Sequence, residues 1–169
     1  MRAVLCKHLE GPKGLFIEDV PKSPPQRGEL SVCVRYVALN FFDTLIIRGK
    51  YQIKPELPFS LGGEISGVVG EVGEGVRGFA VGDRIAAYMG WGGAREEVVI
   101  PAEKAIPIPK DVSDDVAASF SIVYGTALYG LKDRGIVQAG ETVAILGAAG
   151  GAGLRSEEHT SELQSPYVI

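Results

Sequence analysis

The 169-residue sequence carries 17 basic and 21 acidic side chains, for a formal charge of −4, and no basic stretch interleaved with aromatics, which argues against a nucleic-acid partner. Only two histidines, His8 and His159, and two cysteines, Cys6 and Cys33, occur, so zinc chemistry is short of ligands. No apolar run reaches the ~20 residues of a membrane span, and MRAVL opens without a signal-peptide segment, so a soluble, cytoplasmic protein is expected.

The first 110 residues read as short strands punctuated by turns. Residues 1–5 form a strand-like run, and residues 30–38 alternate Leu30, Val32, Val34 and Tyr36 against Ser31, Cys33 and Arg35, after the turn signal PPQRG. That alternation predicts a half-buried strand. Cys6 and Cys33, both among β-branched neighbours, are expected to be small buried hydrophobes. EISGVVGEV at Glu64–Val72 predicts a strand whose glycines mark bulges or close backbone approach. A tight turn at Val81–Asp83 begins another strand, with Asp83 and Arg84 as turn and surface residues, and residues 96–100 give a further one. Short strands at this spacing predict a mostly β, barrel-like domain over residues 1–118.

The texture then changes. Ser113 is a candidate N-cap with acids in the first turn, and residues 117–131 are rich in Ala, Leu and aromatics at helical spacing. TVAIL at Thr142–Leu146 is continuous and apolar, as a strand buried on both faces of a parallel sheet would be. Residues 147–153, GAAGGAG, have the composition of a strand-to-helix turn whose amides approach a pyrophosphate, with Ala148 in place of the first fingerprint glycine. A second, α/β domain is therefore expected over residues 119–154, cut short after its first turn. Residues 155–165, RSEEHTSELQS, lack any apolar helical period and resemble the in-frame translation of a sequencing-library adapter. Residues 155–169 are accordingly read as a non-native tail.

Six segments in this order resemble the amino-terminal half of the zinc-independent quinone oxidoreductases, the zeta-crystallin-like branch of the medium-chain dehydrogenase/reductase superfamily. They are VALNFFDT at 37–44, RGKY at 48–51, PFSLGGEISGVV at 58–69, VGEGVRGFAVGDR at 72–84, YGTA at 124–127 and LGAAGGAG at 146–153. The resemblance implies an α+β to α/β chain, with a GroES-like β-rich barrel followed by the truncated start of a Rossmann domain. The zinc-dependent relatives carry a metal-binding His where this chain has Gly63, and a Cys near Asn40 to Asp43. The four-cysteine lobe is missing as well, so hydride transfer to an already electrophilic, conjugated acceptor is implied.

By the same resemblance, Asn40, Asp43 and Tyr51 are the candidate catalytic residues. Asn40, Thr126, Gly150, Gly151, Ala152 and Gly153 are the candidate cofactor-binding ones. No metal is expected. Several of the residues singled out have a plainer reading: Asn40 as a turn former, Asp43 as a cap, Tyr51 as packing, Glu64 as a local hydrogen-bonding group, Trp91 as a packed aromatic on a glycine turn. NADPH is the implied cofactor, with NADH left open, a quinone or conjugated carbonyl the implied substrate, and a homodimer the implied parent assembly. An enal, enone or enoyl-thioester reductase on the same framework is the alternative within enzymes, and a non-catalytic binding module the alternative outside them. The chain itself is expected to be inactive.

Overall fold

A computed structural model describes residues 1–146 together with Gly150 and Gly151. The chain divides into two units, Met1–Ser119 and Phe120–Ile169. Among the described residues no helix is long and apolar enough to cross a membrane.

The first unit is built from eight strands: β1 (Arg2–Cys6), β2 (Leu15–Asp19), β3 (Glu29–Ala38), β4 (Phe59–Ser60), β5 (Glu64–Val72), β6 (Arg84–Tyr88), β7 (Glu97–Pro101) and β8 (Ala105–Pro107). They form two antiparallel sheets, ordered β2-β1-β4 and β7-β3-β5-β6-β8. The expected barrel is not closed, because β2 and β8 remain as outer edges. What joins the sheets is the run into β7. The Val4 amide donates to the Ala94 carbonyl at 2.8 Å, Glu96 N–H to the Arg2 carbonyl at 3.1 Å, and Val34 N–H to the Glu96 carbonyl at 2.9 Å. One stretch of backbone thus satisfies donors of β1 and β3 together, and main-chain groups here are paired as a buried segment requires.

Between the strands Leu30, Val32, Ile65, Val69, Ile85 and Ile100 form the fully buried heart of the core. Each such side chain contributes roughly 1.5–3 kcal/mol relative to exposure. The period-2 pattern of β3 holds through Val34 and then fails. A register shift between Val34 and Tyr36 turns Val37 against the core and leaves Tyr36, expected inside, 52% exposed. An extra residue in one strand reverses the facing of all that follow. Ser31, expected outside, is buried, and its hydroxyl donates to Glu97 Oε1 at 3.0 Å. Cys33 is exposed, a correction to its expected burial, whereas Cys6 is fully buried and burial raises its thiol pKa.

Glu97 also accepts from the Lys22 ammonium at 2.5 Å. Lys22, with Ser31 assisting, holds its carboxyl below the ordinary value of 4.5. A depressed carboxylate stabilises the fold above its unfolded pKa and loses that contribution as pH falls through the folded one. Glu97→Gln is therefore expected to flatten the fall in urea midpoint between about pH 5 and pH 2, measured by circular dichroism.

Arg84, read from sequence as a surface residue, is a structural clamp. Its guanidinium donates to Asp114 Oδ1 at 2.8 Å and to the Val112 carbonyl at 2.6 Å, fixing the start of α2 (Asp114–Ala118) beside β6. Ser66 adds a 2.6 Å bond from its hydroxyl to the Asp114 carbonyl.

The helix expected over residues 117–131 is broken where the first unit ends and the second begins. Ser119 leaves helical geometry at φ −105°, ψ 6°, and α3 (Phe120–Leu128) runs on into a π-helical turn at Tyr129–Arg134. Two glycines, Gly125 and Gly130, lie in these last turns, where helix propensity is weakest. The strand expected at Thr142–Leu146 is not formed: Val143 alone makes an isolated bridge and Leu146 is 96% exposed. A central-strand sequence acquires strand geometry only with neighbours to pair with, and no second strand of this unit occurs among the described residues.

Candidate active site

The site grows from the junction of β3 and a short helix, α1 (Phe41–Ile46). Asn40 holds an extended conformation, φ −114° and ψ 168°, as the residue capping that helix. Its backbone N–H donates to Asp43 Oδ2 at 2.7 Å, while the Asp43 N–H returns to the Asn40 carbonyl at 3.0 Å. The N-x-x-D spacing thus satisfies helix-start donors reciprocally, a variant of the capping box. The other Asp43 oxygen accepts the Gly62 N–H at 2.9 Å. Asp43 is buried, and burial pushes its carboxyl above the ordinary 3.8, against the opposing pull of the Asn40 and Gly62 amides.

The Asn40 side chain is held as firmly as its backbone. Nδ2 donates to Glu64 Oε1 at 3.0 Å, and Glu64, 1% exposed, opens β5 between Ala38 and Tyr88. Phe42 and Tyr51 form the adjoining wall, ring centroids 5.7 Å apart and tilted 35°. Both pack against the second apolar cluster, that of Cys6, Ile46, Ile47, Phe59 and Leu61. The edge of Phe42 lies over Gly63: a Cβ there would collide with the ring's Cζ and come within 2.8 Å of the Gly90 carbonyl oxygen.

Asn40 and Asp43 are thus brought together, with Tyr51 reached through Phe42. Sequence reasoning missed the anchoring of Asp43 by Gly62, nineteen residues away, for which no local pattern exists. It did mark Glu64 as a hydrogen-bonding group. Thr126 lies exposed on α3, and Gly150 and Gly151 are exposed. Ala152 and Gly153, as well as the tail, lie outside the described residues.

Residues 26–110 match the alcohol dehydrogenase GroES-like domain. Quinone oxidoreductase-like protein 2 of Bos taurus is 40% identical over 168 residues, 99% of this chain and 48% of its own length. The human synaptic vesicle membrane protein VAT-1 homolog-like protein superposes with a TM-score of 0.94 at 32% identity, over 100% of this chain and 54% of its own. A mycobacterial protein solved in complex with NADPH gives a TM-score of 0.92 at 35% identity, over 100% of this chain and 52% of its own. The chain spans about half the length of the curated relatives it matches. From the match over residues 26–110, the chain belongs to the alcohol dehydrogenase GroES-like domain family, in the quinone oxidoreductase-type part of the medium-chain dehydrogenase/reductase superfamily.

Proposed function

We propose that the full-length protein carrying this chain is an NAD(P)H-dependent oxidoreductase that passes hydride to a quinone without zinc. The observation that carries the reading is the fixed Asn40, its amide on buried Glu64 and its backbone on buried Asp43. A site that relies on orientation needs such pre-set groups. Tyr51, half-buried against Phe42, supplies a phenol able to donate to a quinone oxygen.

The residues fit a dinucleotide. Thr126, Gly150 and Gly151 are all exposed, as groups that meet ribose and phosphate must be, and with Ala152 and Gly153 they would hold it. NADPH is favoured by the relatives solved with it. When bound, the reduced nicotinamide supplies the hydride; the protein's part is to bind, orient and exclude water. Zinc fits poorly. The space of a side chain at Gly63 is taken by Phe42 and the Gly90 carbonyl, and among the described residues no three His, Cys, Asp or Glu side chains gather as a metal requires.

The full-length protein is expected to oxidise NADPH with 1,4-benzoquinone, followed by loss of reduced-nicotinamide absorbance, and to keep that rate after dialysis against a chelator. Loss of activity on chelation would overturn zinc independence, and turnover of enones but not quinones would overturn the substrate. The 169-residue chain alone is expected to show no NADPH binding in titration calorimetry, given the exposed Leu146 ahead of its glycine-rich residues 147–153.

A further inference from the structure

Arg95 lies on the stretch that joins the two sheets, in an isolated bridge with Ala3. Among the described residues its guanidinium has no hydrogen-bond or ion-pair partner, and its Nε is sealed from solvent with no acceptor. Burial alone lowers its pKa, with no carboxylate offsetting the loss of hydration. A partly buried cation without a counter-charge is costly, and the terminal nitrogens, unbonded yet not sealed, are where an anion can meet it.

Arg95 lines three cavities. In one its sequence neighbours Ala94 and Glu96 line the wall beside it; Arg95, Val98 and Val99 line the other two, without the residues flanking Arg95 in sequence. The smaller, about 160 Å3, also holds Glu97, whose charge opposes an anion. The larger, about 430 Å3, has a different character. Pro58, Phe59, Met89 and Trp91 supply apolar surface, and the one carboxylate on its lining, Glu56, is exposed. That volume suits a small organic molecule, and Trp91 is 38% exposed, with its ring available to stack. None of Asn40, Asp43, Tyr51 or Glu64 lines it.

We propose that this cavity binds a small organic monocarboxylate, its carboxylate on the Arg95 guanidinium and its flat apolar body against Trp91 and Met89. A planar guanidinium pairs with a carboxylate through two parallel bonds, which fixes the orientation of the bound molecule. Glu56 disfavours a second negative charge on the ligand, so dianions bind less well than monoanions.

Trp91 is the chain's single tryptophan, so its fluorescence reports on this cavity without interference. Titration of the full chain with sodium benzoate is expected to give a saturable change. Benzamide, its neutral counterpart, is expected to bind at least about tenfold more weakly, and Arg95→Met to weaken benzoate by a similar factor, as loss of a charge-assisted pair entails. Glu56→Gln, an exposed change that leaves the fold alone, is expected to tighten benzoate about two- to threefold by removing like charge. Equal responses to benzoate and benzamide, an unaltered response in Arg95→Met, or inorganic phosphate binding as tightly as benzoate would each overturn the proposal. Were Arg95→Met not to fold, weaker benzoate binding in Glu56→Gln would do the same.

Discussion

Asp43→Ala is expected to destabilise the first unit by about 3 kcal/mol, read as a lower urea midpoint at unchanged slope. The carboxylate is the acceptor for two amides, Asn40 at 2.7 Å and Gly62 at 2.9 Å. Alanine leaves both donors facing a space with no oxygen, and each orphaned buried N–H costs roughly 1–3 kcal/mol. Relief from burying a carboxylate, the cause of its raised pKa, offsets part of that. Asp43→Asn is expected to fall between, since one oxygen can still accept while the amide NH2 opposes the second N–H. A loss below about 1 kcal/mol in the alanine variant would mean that solvent replaces the carboxylate. The effect reaches the site as well. With the carboxylate gone, Asn40 loses the acceptor of its backbone N–H and keeps only its side-chain bond to Glu64 and the backbone bond from residue 43, so under the proposed function the full-length protein should lose kcat more than its affinity for quinone.

Gly73→Ala is expected to cost as much or more, about 3–4 kcal/mol, for a reason of volume rather than bonding. Gly73 is buried where β5 ends, and its amide donates to the Glu29 carbonyl at 2.8 Å. The Gln26 carbonyl oxygen lies where a Cβ would go, with the Glu29 carbonyl oxygen 2.8 Å from the same point. Neither is a side-chain end that can swing away. Turn 26–29 is itself closed by the Glu29 N–H on the Gln26 carbonyl at 3.1 Å and tied to Glu74 by the Gly28 N–H at 2.9 Å. A methyl group must pry that assembly apart. Gly78 is the control: at φ +86°, with nothing within 4 Å of a built Cβ, Gly78→Ala should cost only the ~1–2 kcal/mol of left-handed backbone. Equal losses at the two positions would refute the steric argument.

These residues also mark what a one-dimensional reading can reach. The span Glu64–Val72 emerges as a strand within the bounds that its apolar pattern implies, and its glycines do mark close approach, Gly67 lying against the Cys33 carbonyl. Local periodicity carries such information because neighbours in sequence impose it. The register shift before Tyr36 is set by the partner strand, so alternation alone puts that ring on the wrong face. Likewise the capping role of Asp43 is written in its spacing from Asn40, whereas its second bond to Gly62 and the amide bond of Asn40 to Glu64 depend on how β3, α1 and β5 meet. The order of motifs identified the family, but the clamp of Arg84 on Asp114 across thirty residues left no trace in either sequence neighbourhood.

The seam between the sheets has a consequence in time. Arg2 gives its backbone N–H to the Glu96 carboxylate, a partner 94 residues away, at 2.9 Å, and its side chain pairs with the same group. Contacts of such separation carry the loop-closure entropy of nearly the whole unit and slow its folding. Within the first unit, a ribosome releases β1 well before its seam partner. Once β4 has covered Leu5 and Cys6, the rest of β1's far edge must wait unpaired until residues 94–96 emerge, and in that interval a chaperone or a second nascent chain competes for the edge that those residues later take.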